Sequence, residues 1–432
     1  MKLPKQVRKY LDRQSLSNWK LEIGKQNLFS NIIVIPALSE YENVKTLIHS
    51  LTLNNIEYLK ETLVIFIVNN LESHSNEIKE NNLELLTYLR NYINGENTLL
   101  NIEIIDASSN NKVLPEKDGG VGLARKVGMD LALNYFNYRN KNKKILICLD
   151  ADCTVSKKYI ETIISEFNKN NFSAGCVNFY HTLPKEIEDQ KAIINYEIFL
   201  RYYVLGLQYA KSPYAFHSIG STMVCDFENY IKVGGMNKRK AAEDFYFMEK
   251  LAKVTNINRI NGATVFPSSR GSWRVPFGTG QRVNRYLSQE KNEYLLYSPK
   301  SFEILKEWLD VFHRKRKSSG EQYLAEAKEI NSTLFNFLVE QRFETSWDKI
   351  LDNSKTKEQI EKQKVFWMDS FKTLKLIHYL RDNEFPQENM FDALDKLFTK
   401  LGIINSIKRD TEIPSIEVQL KYLEILRELQ GV

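Results

Sequence analysis

From residue 30 onward the chain alternates continuous apolar runs with stretches of helical period. Residues 32–35 form one such run, which stops at Pro36. A second covers 63–68 and ends at Asn69-Asn70, a third covers 101–105, and a fourth covers 144–149 and ends at Asp150. Between them, residues 40–53 place Val44, Leu47, Ile48 and Leu51 on one helical face, and 83–92 and 123–136 read as helices in the same way. Unbroken apolar strands separated by helices predict an α/β fold with a parallel sheet covered on both faces. Ligands of such sheets bind beyond the carboxyl ends of the strands, which directs attention to residues 36–40, Asn69-Asn70, Asp106 and residues 150–152.

Beyond Tyr286 the pattern becomes long amphipathic runs, at 302–312, 321–343, 358–380, 390–401 and 416–429, predicting an all-helical C-terminal region. At the other end, residues 2–23 predict a short amphipathic helix with Val7, Tyr10, Leu11, Trp19 and Leu21 on its apolar side. Its simplest place is packed on the domain, and the alternative is a basic helix on a membrane surface. Three regions are therefore expected, at 1–29, 30–286 and 287–432.

Glycine sharpens this division. Thirteen of the 18 glycines lie between Gly119 and Gly280, so tight turns and close backbone approaches belong to the middle of the chain. The formal charge is only +6, which speaks against a nucleic-acid binder and leaves room for a small anionic ligand or peripheral contact with an acidic membrane. Cys148, Cys153, Cys176 and Cys225 form no CxxC pair, so neither structural zinc nor a disulfide framework is expected. No apolar run approaches the length of a membrane span, and the opening MKLPKQVRKYLDRQ has no apolar h-region. The expectation is a cytoplasmic protein, or one peripheral at the inner face of the membrane.

Three short segments carry candidate chemistry. Asp150-Ala151-Asp152 sets two carboxylates at the end of a buried strand. Hard divalent cations take oxygen ligands, and Mg²⁺ commonly uses one or two carboxylates plus phosphate oxygens, so this pair suits a metal–diphosphate complex. The bland reading is a helix cap. Asp118-Gly-Gly120-Val-Gly-Leu-Ala-Arg125-Lys126 puts glycines before a helix start, where backbone N–H groups can approach an anion, or where the chain simply turns. Val233-Gly-Gly-Met236 is followed by Glu243-Asp244 at the head of an apolar helical pattern. That acid pair caps a helix or, in a cleft, takes a proton from a hydroxyl.

In this order these pieces resemble the family 2 glycosyltransferases of the GT-A fold, over about residues 30–285. The resemblance rests on Ile33-Val-Ile-Pro36-Ala37…Glu40, the Ala124-Arg125 helix start, Asp150-Ala-Asp152, and Gly234-Gly235 with Glu243-Asp244. It implies a Rossmann-like mixed sheet and a nucleotide-diphosphate sugar as donor, held by Pro36, Ala37, Glu40 and Asn69, with Asp118, Gly120, Arg125, Ala151 and Arg274 completing the donor site. It further implies Mg²⁺ or Mn²⁺ on Asp150 and Asp152, and Asp244 as catalytic base with Glu243 beside it. The acceptor would be a glycan, a lipid-linked molecule or a small molecule, and transfer would invert the anomeric carbon. Two departures matter: Asn69-Asn70 replaces the acids many members carry after the second strand, and Gln281-Arg282-Val-Asn-Arg285-Tyr286 lacks the Gln-x-x-Arg-Trp of processive synthases. The segment from Arg270 through Trp273 and Arg274 to Arg282 is expected to close over donor or acceptor. His217 is read as a plain buried histidine or as a metal or acceptor ligand. Competing readings are a haloacid-dehalogenase-type phosphatase using Asp150 as nucleophile, from Leu149-Asp150-Ala-Asp152-Cys-Thr154, and a non-catalytic sugar-nucleotide-binding module.

Overall fold

A computed structural model describes residues 3–14, 16, 18–24, 28–95, 98–271, 278–404 and 406–432. The chain forms two compact units, one of Met1–Asp189, Ser218–Asn284 and Gln430–Val432, the other of Gln190–His217 and Arg285–Leu429.

The first unit is built on an eight-stranded sheet of β1 (Asn31–Ala37), β2 (Thr62–Asn69), β3 (Asn101–Ala107), β4 (Ile145–Cys148), β5 (Thr154–Val155), β6 (Ala174–Phe179), β7 (Met223–Asp226) and β8 (Asn258–Phe266). Their order across the sheet is β3-β2-β1-β4-β7-β6-β8-β5. The first four strands in that order are parallel, while β7 runs antiparallel to both β4 and β6, and β5 runs antiparallel to β8. The sheet is thus mixed. Every residue of β1 and β2 is buried, as their unalternating apolar sequences require for strands covered on both faces. Helix Val121–Ala132 packs on β1 and β2, Asn76–Asn94 on β2 and β3, Tyr41–Thr52 against β5, and Tyr159–Lys169 on β8.

β1 continues through Pro36 to Ala37, past the point where its apolar run was expected to stop. Proline lacks a ladder donor and is normally kept out of central strands. Here the Val34 carbonyl accepts from Leu149 N at 3.2 Å, and β4 has ended at Cys148. Pro36 faces that same vacated side, so no ladder bond is lost.

The N-terminal helix is shorter than its pattern suggested, Lys5–Leu11 rather than 2–23. Leu21 instead bridges to Ile105, and Trp19 is buried with its indole donating to the Lys112 carbonyl at 2.7 Å. Val7 and Tyr10 are buried, and Tyr10 and Tyr230 both donate to Asp130 at 2.7 Å, with Lys126 2.8 Å from the same carboxylate. This helix packs on its domain. At the far end of the chain the Gly431 carbonyl accepts from the Asn178 side chain within the same unit.

The second unit is helical. Its core gathers Trp308, Phe312, Tyr323, Phe343, Trp347 and Trp367, with Trp308 stacked on Phe312 (centroids 5.0 Å) and Phe343 on Trp347 (6.1 Å). The predicted helix at 321–343 is three, Gly320–Ile330, Ser332–Glu340 and Phe343–Asn353, because Asn331 caps the second and Arg342 turns left-handed (φ 52°) before the third. The predicted 358–380 likewise splits at Asp369, whose side chain accepts from Lys372 N. His217 falls in this unit. None of the described helices is long and apolar enough to cross a membrane.

Candidate active site

β4 delivers Asp150-Ala151-Asp152 into the turn that leads to β5, with Cys153 N donating to the Asp150 carbonyl at 3.2 Å. Ala151 is buried between the two carboxylates, whose side chains are each about one-third exposed (Asp150 33%, Asp152 31%). Acids one residue apart in a turn therefore face the solvent side of the sheet end, as a ligand clamp requires.

Arg125 is the organising residue. It was expected on a donor phosphate, but its side chain is only 1% exposed and its guanidinium lies between two carboxylates. One amino group is 2.5 Å from Asp150 and the other pairs with Glu243. Burial opposes its charge, but Asp150 and Glu243 more than offset that and hold it firmly protonated. One buried cation on the helix Val121–Ala132 thus ties the end of β4 to the head of helix Glu243–Ala252, across 118 residues of sequence. Glu243 is spent on this link. The neighbouring Asp244 is half-buried and accepts from the adjacent Phe245 N at 2.7 Å. Its carboxyl is pushed up to about 7, chiefly by burial and then by the Glu243 charge, against the pull of Arg125.

Gly220 completes this arrangement. A Cβ there would meet the Arg125 guanidinium at 2.7 Å, and the guanidinium cannot retreat because both its ends are held. No local signal marks this glycine, since the need arises from a residue 95 positions away. The Gly119–Gly122 turn is also shaped by close approach. A Cβ on Gly119 would lie 2.2 Å from Leu71 Cδ2, and one on Gly122 would lie 2.2 Å from the Arg239 carbonyl. Asp118 is half-buried in this turn, and Gly120 directly precedes the helix start.

A second acidic centre forms where β1 ends. Glu40 is buried, yet its carboxylate caps no helix amide; it accepts from Asn43 at 2.5 Å and pairs with Arg270. The Arg270 guanidinium also stands 3.4 Å from Asp152. Burial, with the charges of Glu40 and Asp150, pushes the Asp152 carboxyl up to about 6, and Arg270 works in the opposite direction. Crowded carboxylates of this kind fit a divalent cation, whose charge would relieve them. Among the described residues no group of three or more His, Cys, Asp and Glu side chains encloses a metal by itself. A cation held by Asp152 and Asp150 would therefore need oxygens from its ligand.

Two acids on this rim follow a non-glycine residue in the left-handed region, Glu40 after Ser39 (φ 55°) and Glu243 after Ala242 (φ 57°). Such backbone costs energy and persists where surrounding contacts fix it: Ser39 N donates to Asn82 at 2.9 Å, and Asn237 donates to the Glu243 carbonyl at 2.8 Å. Asn69 uses its amide nitrogen on the Ala37 and Ile67 carbonyls (3.0 and 3.1 Å), bracing the ends of β1 and β2. Pro36 and Ala37 line the end of β1. Trp273 and Arg274 lie outside the described residues. The four cysteines are buried and free.

Compared by sequence, the chain matches no family model and no curated protein. Among solved structures it is similar to Staphylococcus aureus TarS residues 1–349 in complex with UDP-GlcNAc, at 11% identity over 79% of this chain and 92% of that one, TM-score 0.40. It is also similar to GalNAc-T7 with UDP, GalNAc and Mn²⁺, at 13% identity over 84% and 59%, TM-score 0.37. A third is the mannosyltransferase PcManGT from Pyrobaculum calidifontis in complex with GDP-Man and Mn²⁺, at 12% identity over 99% and 92%, TM-score 0.35. The mixed eight-stranded sheet with helices on both faces is the architecture that the sequence resemblance implied.

Proposed function

We propose that this chain is a metal-dependent, non-processive glycosyltransferase that moves a hexosyl group from a nucleotide-diphosphate sugar to an acceptor hydroxyl with inversion. The observation that supports this best is the Arg125 link, which joins a strand-end Asp-x-Asp to a helix headed by a carboxyl of raised pKa. In this reading Asp152 and Asp150 hold Mg²⁺ or Mn²⁺, which when bound supplies positive charge to the departing diphosphate. Pro36, Ala37, Glu40, Asn69, Asp118, Gly120 and Ala151 form the donor side, and Arg274 belongs to the segment expected to close over it. Asp244 is the base. A carboxyl poised near neutral pH is ionised at working pH yet basic enough to accept the acceptor's proton as the new bond forms. Glu243 is a positioning residue, holding Arg125 and so the spacing between the two acidic centres.

The phosphatase reading would need Asp150 as a nucleophile, whereas Arg125 pairs with its Oδ1 and draws on its charge, an arrangement that suits a carboxylate binding a metal through its other oxygen. Calorimetry with UDP-, GDP- and dTDP-sugars, with and without Mn²⁺, tests the proposal. Binding of one donor class that strengthens with Mn²⁺ and is lost in Asp152→Ala is expected. No binding to any donor, or binding indifferent to that change, would overturn it.

A further inference from the structure

The stretch that carries Asp244 is strongly basic. Between Lys232 and Arg282 stand ten Lys and Arg against three acidic residues, Glu243, Asp244 and Glu249, while the whole chain is only +6. Two of those three acids already have cations, Glu243 on Arg125 and Glu249 with Lys253 at 2.9 Å. Lys238, Arg239 and Lys240 are exposed and lie four to six residues before Asp244. Arg239 and Lys240 are nevertheless held in place. The Arg239 guanidinium lies over the Tyr246 ring, 3.8 Å from its centroid, and its backbone N–H donates to Asn237 at 3.1 Å. The Lys240 ammonium donates to the Glu116 carbonyl at 2.7 Å, and the Arg239 carbonyl is wedged against Gly122. Lys250, one turn beyond Tyr246 on the same helix, is exposed and feels the Arg239 charge. Desolvation, followed by the like charges of Lys126, Arg239 and Lys253, lowers its pKa. Fixed cations that repel one another gain stability when an anion joins them.

We infer that the acceptor is anionic, its phosphate groups docking on Lys238, Arg239, Lys240 and Lys250 so that a neighbouring hydroxyl reaches Asp244. This rests on the transfer reading above and adds the acceptor's chemical class. Phosphate fits better than carboxylate because its oxygens can be approached by several cations from different directions, where a planar carboxylate suits one Arg fork. The donor's diphosphate has its own place, at Asp152 and the residues around it.

The test is fluorescence anisotropy with fluorescein-labelled inorganic polyphosphate, a labelled neutral dextran oligosaccharide of similar size, and a labelled single-stranded oligonucleotide. The full chain should bind polyphosphate in a salt-dependent way, dextran far more weakly, and the oligonucleotide no more tightly than polyphosphate. The variant Lys238→Gln/Arg239→Gln/Lys240→Gln should lose at least tenfold in polyphosphate affinity with unchanged circular dichroism and unchanged donor calorimetry. Lys315→Gln/Lys317→Gln in the helical unit should leave polyphosphate binding as it is. In transfer assays, a sugar phosphate should be preferred over the same sugar without phosphate, and the triple variant should erase the preference. The inference is overturned if dextran binds equally well, if the triple variant binds like wild type, if the helical-unit variant removes the binding, or if the oligonucleotide binds more tightly. Absence of donor binding in wild type would instead overturn the transfer reading, whatever the anion result.

Discussion

In the helical unit, Glu197 accepts from Arg201 at 2.8 Å and from Arg427 at 2.8 and 3.0 Å. Lys364, fully buried, donates to the carbonyls of Arg314 and Arg316 and to Glu361. In the sheet unit, Arg125 is buried just as deeply, but its two acidic partners are neighbours of Asp152 and Asp244, whose carboxyls are pushed up to about 6 and about 7. The first kind of cluster pairs buried charges inside the helical unit. The second passes its charge imbalance outward to groups that meet a ligand. Buried ion pairs alone do not mark an active site; a buried pair that leaves adjacent carboxyls under strain does.

The comparison can be broken most decisively at Asp244. Asp244→Asn is expected to lower turnover by about 10²–10⁴-fold with donor affinity nearly intact, read from transfer rates beside calorimetry. A small effect would reduce Asp244 to a helix-end acid. Next come the arginines. Arg125→Met leaves Asp150 and Glu243 facing one another in a buried place, and Arg201→Met leaves Glu197 short of one partner. Each should cost about 3–5 kcal/mol in denaturant unfolding. Only the Arg125 change should also move the pH–rate profile, since only Arg125 pulls on Asp244. Gly220→Ala should cost about 1–3 kcal/mol through overpacking against a guanidinium that cannot move.

The pH dependence sharpens the contrast further. Asp244 has its folded pKa raised above the usual carboxylate value, so the folded state holds that proton more tightly than the unfolded chain does. Its contribution to stability is full at low pH and falls as pH rises from about 4 to about 7. Thermal melts should therefore show Asp244→Asn gaining on wild type as pH rises through that window. The pH profile of kcat/KM should rise over an acidic limb ending near pH 7. Smallest of all, Arg270→Gln removes the guanidinium between Glu40 and Asp152 and should tighten donor-free Mn²⁺ binding a few-fold by electron paramagnetic resonance.

The strands were legible because a strand buried on both faces is built mostly from apolar residues, as β1, β2 and β4 are, while β3 keeps its apolar run despite a buried Glu103. The residue types of the site were legible too, as acids at strand and helix ends. Their partners were not. Arg125 looked like a phosphate ligand because its sequence neighbours are glycines, and nothing local reveals that Asp150 and Glu243 converge on it. Gly220 and the pairing of Arg270 with Glu40 and Asp152 are likewise products of tertiary contact. In the helical unit, the helices Met390–Leu401 and Ile416–Leu429 were placed from periodicity with their ends correct. The breaks at Asn331 and Arg342 were hidden because the apolar spacing runs on across them.

The bond from Asn178 to the Gly431 carbonyl bears on how this protein is made and dissected. The backbone passes between the two units four times, and the last passage brings residues 430–432 back to the sheet unit. No single cut releases either unit whole. A ribosome has to pass residue 431 before Asn178 on β6 gains this partner, so the sheet unit completes through contacts far apart in sequence that are slow to form. Deletions after residue 284 or at the extreme C-terminus should therefore be judged as lesions of the sheet unit too.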